Sequence, residues 1–220
     1  MKILEDFSLL IDSASVEERL ASVRKAVSPP SDKELLKKIF SLIDLTTLSE
    51  KDNILTINQL CEKVNMLSEA YPSLPAFASL CVYPELVGVV KEKLENALIS
   101  IGSVGGGFPS AQTFTNIKVM EIEQAVEQGA EEIDIVLPLG KFLMEDYEYV
   151  VYEIEVIKER IGQLPLKVIL ETGILQDFTL IRKAALLAID AGADFIKTST
   201  GKSGQGATPE AMVVMCDTVL

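Results

Sequence analysis

Short apolar and β-branched runs recur at residues 42–48, 76–83, 98–104, 133–137, 166–170 and 195–200, and each reads as a buried strand. The stretches between most of them carry helical periodicity instead. Residues 115–128 repeat apolar positions at Ile117, Met120, Ile122 and Val126, and residues 178–191 do so at Leu180, Ile181, Ala184, Leu187 and Ala188. Strand then helix, repeated, predicts an α/β fold with a parallel sheet. Residues 1–40 break the pattern. Ser13-Ala14-Ser15 precedes a charged helical stretch, and Ser28-Pro29-Pro30-Ser31 interrupts it. Ser15 with Glu18 has capping-box spacing for one short helix, and Ser31 or Asp32 can cap a second that runs to about Phe40. Residues 1–40 are therefore expected to be a helical extension without chemistry, and residues 41–220 a single α/β domain.

Charge and composition narrow the chemistry. The chain of 220 residues carries a formal charge of −13, which repels nucleic acid and anionic membranes, so an anionic substrate needs a local cluster of donors and lysines. The absence of histidine removes Ser-His-Asp and Cys-His pairs, His-ligated metals and imidazole acid–base catalysis together. Lys, Asp, Glu, Tyr, Cys or a bound water must do any catalysis. Cys61, Cys81 and Cys216 are scattered and odd in number, which fits a reducing compartment, and no apolar run is long enough for a membrane helix. With no signal peptide in the charged first twelve residues, a cytoplasmic location is expected.

Two segments echo one another. Gly129-Ala130-Glu131-Glu132-Ile133-Asp134-Ile135 and Gly192-Ala193-Asp194-Phe195-Ile196-Lys197-Thr198 each pair a helix-ending glycine with a strand, and each has a charged residue five positions after that glycine. Asp134 and Lys197 thus occupy equivalent places. Strand alternation puts Asp134 on a face with Glu132 and Val136, and Lys197 on a face with Phe195 and Ser199. In a barrel, alternate strands share an interior layer, so the carboxylate and the amine are expected to meet inside. The intervening strand adds Lys167, Ile169 and Glu171 on one face. A desolvated lysine near a second cation loses its proton readily, and a neutral amine can attack a carbonyl to give a Schiff base. The residues alone leave two other readings open: a structural ion pair between Asp134 and Lys197, or a strand-end lysine reaching solvent.

The literal residues go further. Phe195-Ile196-Lys197-Thr198-Ser199-Thr200-Gly201-Lys202 resembles the active-site strand of the deoxyribose-phosphate aldolases, the class I aldolases of 2-deoxyribose 5-phosphate. Ile43-Asp44-Leu45-Thr46-Thr47-Leu48, Cys81-Val82-Tyr83-Pro84, Gly107-Phe108-Pro109, Glu132-Ile133-Asp134-Ile135-Val136 and Lys167-Val168-Ile169-Leu170-Glu171-Thr172-Gly173 follow in that family's order and spacing. The resemblance covers about Leu42 to the end. It implies a TIM (β/α)8-type barrel with no metal and no cofactor, in which Lys197 forms the Schiff base with acetaldehyde and Asp134 relays protons. By the same resemblance Asp44, Cys81 and Lys167 line the pocket, and Thr200, Gly201 and Lys202 form the loop that approaches the substrate phosphate. Cys81 is also readable as a small buried apolar filler. The implied partners are a phosphorylated sugar and small aldehydes, with no nucleic acid or membrane, and with a homodimer left open.

One departure stands out. Six units are visible where the family barrel has eight, and Thr208-Pro209-Glu210 begins a last helix within which, or just after which, the chain stops at Leu220. The family's seventh unit carries a second lysine near the nucleophile, and its last two loops build much of the phosphate cradle. These units are cut off, supplied by a partner or swapped segment, or continue past Leu220, and if they are lost the chain is expected to be catalytically impaired. The alternatives kept open are a sugar-phosphate-binding or scaffold fragment, another Schiff-base aldolase acting on a keto acid, and a doubly wound nucleotide-binding sheet. Against the last, Gly102-Ser103-Val104-Gly105-Gly106-Gly107 runs into Phe108-Pro109 rather than opening a helix.

Overall fold

The computed structural model describes residues 2–6, 9–27 and 32–219. In chain order these form α1 (Lys2–Asp6), α2 (Ser13–Ala26), α3 (Lys33–Phe40), β1 (Asp44–Thr46), α4 (Ile54–Ala70) and β2 (Ser79–Val82). A short 3-10 turn leads to α5 (Val87–Lys93), followed by β3 (Ser100–Gly105), α6 (Thr115–Glu127), β4 (Glu132–Val136), α7 (Leu139–Leu143) and α8 (Tyr147–Ile161). The chain continues through β5 (Leu166–Ile169), α9 (Thr172–Leu175), α10 (Phe178–Asp190), β6 (Phe195–Lys197) and α11 (Pro209–Val219).

All six expected strands form, β4 shifted by one residue at equal length and the other five shorter than their apolar runs. The last shows why. Glu171 sits in the left-handed region at φ 54°, which ends the extended backbone of β5. The bond from Leu170 N–H to Lys197 O still follows the register, but Thr172 N–H then reaches Thr198 O one residue short of the next rung, so β6 ends at Lys197 instead of Thr200. Local signals fared unevenly at the helix ends. Thr208 accepts from Ala211 N–H at 3.1 Å and caps α11, and Asp32 caps α3 by accepting from Glu34 N–H at 2.9 Å. Ser15 does not cap α2. Asp12 takes that place, accepting from Ser15 N–H at 3.0 Å in an extended conformation, which makes Ser15 the third residue of the helix. The Ser28–Ser31 breaker and Ser31 as a cap lie outside the described residues.

The strands follow one another in chain order, β1-β2-β3-β4-β5-β6, with parallel pairing. That order, one strand per helical crossover, is the arrangement of a (β/α)-barrel wall. Contacts divide the chain into two compact units, residues 32–105 with 120–133, and residues 2–27 with 106–119 and 134–219.

In the first unit the register pairs Asp44 with Ser79, Thr46 with Cys81, and Cys81 with Gly102. These small or polar residues share one face. Leu80, Val82 and Ile101 occupy the other and are buried, as expected for a parallel sheet covered by helices. Gly105 lets α6 approach closely, because a side chain there would stand 2.8 Å from Ile122 Cγ1 and 3.9 Å from Ile133 Cγ2. Ile133 therefore faces the helices. In the second unit β5 pairs with β6, α10 packs on α8, α9 and α11, and α2 lies on α11 through an ion pair from Arg19 to Asp217 at 3.2 Å. Asp194, which leads into β6, accepts from Lys158 Nζ at 2.6 Å and from Leu166 N–H at 2.8 Å. Burial works against its charge, but the ammonium and the amide together hold its carboxyl below the usual aspartate range. No helix among the described residues is long and apolar enough to cross a membrane.

Candidate functional site

The polar face of the first unit holds two of the expected site residues. Asp44 is half-buried on β1, and Cys81 is buried on β2, one strand over on the same face. Gly102 continues that face on β3. A side chain at Gly102 would lie 3.0 Å from Glu132 Oε1 and 3.2 Å from Cys81 Cβ, so the glycine gives Cys81 and the buried Glu132 carboxylate room to stand side by side. Cys61, Cys81 and Cys216 form no disulfide, and burial pushes the Cys61 thiol up from its ordinary value.

The second unit holds the rest. Ile133 faces the helices, so Asp134 takes the opposite face of β4, and Lys197 Nζ donates to Asp134 Oδ2. These residues stand on β4 and β6, with β5 between them. Neighbouring strands lie about 4.8 Å apart, so side chains that meet across an intervening strand require a concave face, the layer geometry of a barrel interior. Burial is unequal across the pair: the Asp134 side chain is 2% exposed and that of Lys197 is 28%. The carboxylate is locked in while the amine stays reachable.

On β5, between them, Ile169 pairs in register with Lys197 and Lys167 with Phe195. The Lys167 side chain is buried, with Nζ 5.7 Å from the Phe195 ring centroid. Val136 and Ile169 pack with Ala111 and Phe108 from the loop after β3, so an apolar cluster sits on the strand faces that carry Asp134 and Lys197.

The loop leaving β6 is organised by a residue that the resemblance did not assign. Glu171, 1% exposed, accepts from Thr200 N–H at 3.2 Å through Oε1 and from Thr200 Oγ1 at 2.5 Å through Oε2. The same hydroxyl accepts from Lys202 N–H at 3.0 Å. Gly201 makes the turn between them at φ 76°, a conformation suited to glycine. Further along, the loop presses on Gly173, where a side chain would stand 2.0 Å from Gln205 O. Thr200, Gly201 and Lys202 are thus gathered into one turn tied to the end of β5. Strand alternation had placed Glu171 on the polar face of β5, but nothing in that pattern indicated that it would bond to Thr200. Among the described residues, no group of three or more cysteines and carboxylates is placed to hold a metal ion.

A reachable lysine on a buried carboxylate, beside an apolar cluster and a glycine turn, suits amine chemistry on a carbonyl compound. The sequence profile of DeoC/LacD family aldolases matches residues 38–220. Over 210 residues the chain is 36% identical to a Caenorhabditis elegans protein provisionally named deoxyribose-phosphate aldolase, covering 94% of this chain and 69% of that protein. The chain belongs to the DeoC/LacD aldolase family. Solved structures agree with the assignment. This aldolase superposes with a TM-score of 0.76 on a Coccidioides immitis protein of the same provisional name, at 26% identity over 96% of this chain and 82% of the other. It matches QR15, an aldolase, with a TM-score of 0.74 at 32% identity, over 82% and 76% of the two chains. As a DeoC/LacD aldolase the chain is a lyase, and its strand order is that of the family's barrel wall.

Proposed function

We propose that this aldolase reversibly cleaves 2-deoxy-D-ribose 5-phosphate to acetaldehyde and D-glyceraldehyde 3-phosphate, with Lys197 as the Schiff-base residue and Asp134 as the proton relay. The observation that carries this reading is the unequal burial of the pair. The carboxylate is held out of water while the amine it partners keeps an open side toward which a carbonyl can approach. The hydrogen bond between them supplies a path for a proton. Passing it from Nζ to Asp134 leaves a neutral amine, and the apolar surroundings reduce the advantage of the charged pair.

The neutral amine adds to C1 of the open-chain sugar, and the carbinolamine loses water to give an iminium. Removal of the proton from the C3 hydroxyl breaks the C2–C3 bond and releases glyceraldehyde 3-phosphate. The electron pair stays on C2 as an enamine conjugated to nitrogen. Protonation at C2 and hydrolysis then free acetaldehyde and the amine. Asp134 lies within reach of nitrogen for the proton transfers of carbinolamine collapse. Lys167 stands buried on the strand between the pair, as a second amine on the face that carries Lys197. The turn at Thr200, Gly201 and Lys202 takes the phosphate side, and Asp44 and Cys81 serve as substrate-lining residues on their own strands. Residues 41–220 form the catalytic domain in this reading, consistent with a family match that begins at residue 38.

The test is reduction with borohydride in the presence of acetaldehyde, followed by peptide mass spectrometry. The expected adduct adds one ethyl group to the peptide containing Lys197. An adduct on Lys167 or Lys202 reverses the assignment, and phosphate binding without any adduct identifies a sugar-phosphate-binding chain that does not catalyse.

A further inference from the structure

We infer that Glu171 is a positioning residue that sets the selectivity of this aldolase for phosphorylated over unphosphorylated substrates, acting through Thr200. The inference rests on the reading that the turn after β6 meets the substrate phosphate. Both donors of Thr200 point at one buried carboxylate, and its hydroxyl oxygen closes the turn by accepting from Lys202 N–H. Thr200 therefore spends its own hydrogen-bonding groups on shaping the loop. Gly201 is left exposed at φ 76° on the outside of the turn, and Lys202 follows it as the nearest cation in sequence.

Glu171 is itself fixed. Its backbone is left-handed, its side chain is 1% exposed, and the next residue donates its N–H to Thr198 O at 2.8 Å. Hydrogen bonds to a buried carboxylate are about twice as strong as neutral ones, so a carboxylate in this place gives a tighter turn than any uncharged acceptor would.

A carboxylate beside an anion site has a cost, since it repels the phosphate it helps to bind. Positioning and repulsion therefore predict opposite signs for one substitution. Glu171→Gln removes the charge, which by repulsion alone tightens phosphate binding. It also replaces the two charge-assisted bonds to Thr200 by neutral ones and makes the Thr200 hydroxyl turn its proton away to accept from the new amide, which loosens the turn.

The experiment is calorimetric titration of the full chain with glycerol 3-phosphate, which carries the phosphate but no carbonyl and so binds without forming an imine. Losing a charge-assisted hydrogen bond is expected to raise Kd roughly tenfold or more in Glu171→Gln. Thr200→Val, which keeps the shape and removes the hydroxyl, shifts Kd the same way, and Thr200→Ser returns it close to wild type. In turnover the loss falls on KM for the phosphorylated sugar more than on kcat, and the preference over unphosphorylated 2-deoxyribose shrinks by the same factor. Thermal denaturation of each variant confirms that a folded protein is being compared. An unchanged or lower Kd in Glu171→Gln overturns the inference, and so does a wild-type chain that does not bind glycerol 3-phosphate. Acetaldehyde–borohydride trapping on the same samples keeps the two readings apart: an adduct with no phosphate binding sinks this inference and spares the Lys197 assignment.

Discussion

Two lysine–carboxylate pairs in this protein use the same chemical groups to opposite ends. Lys118 on α6 donates to Glu153 Oε1 on α8 at 2.5 Å, and both side chains are 2% exposed. Glu153 Oε2 also accepts from Thr115 Oγ1 at 3.0 Å and from Tyr149 Oη at 3.2 Å. Every visible feature there holds the start of α6 against α8. The pair of Lys197 and Asp134 buries only the acid and leaves the amine 28% exposed. One network is closed and serves as a clamp; the other is open on the side of the amine. The difference lies in the elements that carry them. Between α6 and α8 both partners are shielded from water, whereas across β4 and β6 only the acid is, and the amine stays exposed.

The largest expected contrast comes from arginine at each lysine. Lys197→Arg keeps the charge but cannot become a neutral nucleophile, so turnover and the acetaldehyde adduct fall to background, whereas Lys118→Arg retains the adduct. Borohydride trapping on both variants measures this, and an adduct in Lys197→Arg would break the comparison. Asp134→Asn tests the partner acid. Removing general acid–base help is expected to lower kcat by roughly 10² to 10⁴ while the protein stays folded, read from steady-state kinetics and circular dichroism.

Stability sharpens the comparison from the other side. Lys118→Met leaves the Glu153 carboxylate buried beside only hydroxyl donors and is expected to cost about 3–5 kcal/mol in urea denaturation. Adding Glu153→Gln removes the stranded charge and restores part of that loss. If Lys118→Met instead costs no more than an exposed pair, about 1 kcal/mol, the clamp reading fails.

The smallest effect belongs to Asp194, partly exposed at the entry to β6. Its carboxyl lies below the usual aspartate range in the folded state, so its contribution is present at neutral pH and is lost as the pH falls through that lowered value. Asp194→Asn should therefore destabilise by about 1 kcal/mol or less at pH 7, with the gap closing below roughly pH 4. Urea titrations at both pH values measure the difference.

Periodicity carried the sheet and its helices because it records burial, which short segments express whatever their neighbours. The helix-ending glycines were equally legible: Gly129 and Gly192 both have positive φ, and the residue after each donates back into its helix, as the repeated Gly-Ala segments suggested. The alternation that paired Asp134 with Lys197 is also local, and it needed only the barrel's layering rule to bring the two together. Strand ends were harder to place. The shortening of β6 follows from the left-handed Glu171 just past the end of the neighbouring strand β5, which no pattern around residue 197 reveals.

The sequence by itself determined the order of strands and helices, the chemistry available without histidine, and which face of β4 and β6 carries charge. These follow from composition and from a side-chain period of two. Only the tertiary structure decided that Lys197 is open while Lys118 is closed, and that Glu171 bonds to Thr200, because exposure and hydrogen-bond partners are set by what packs across strands and helices that lie far apart in the chain.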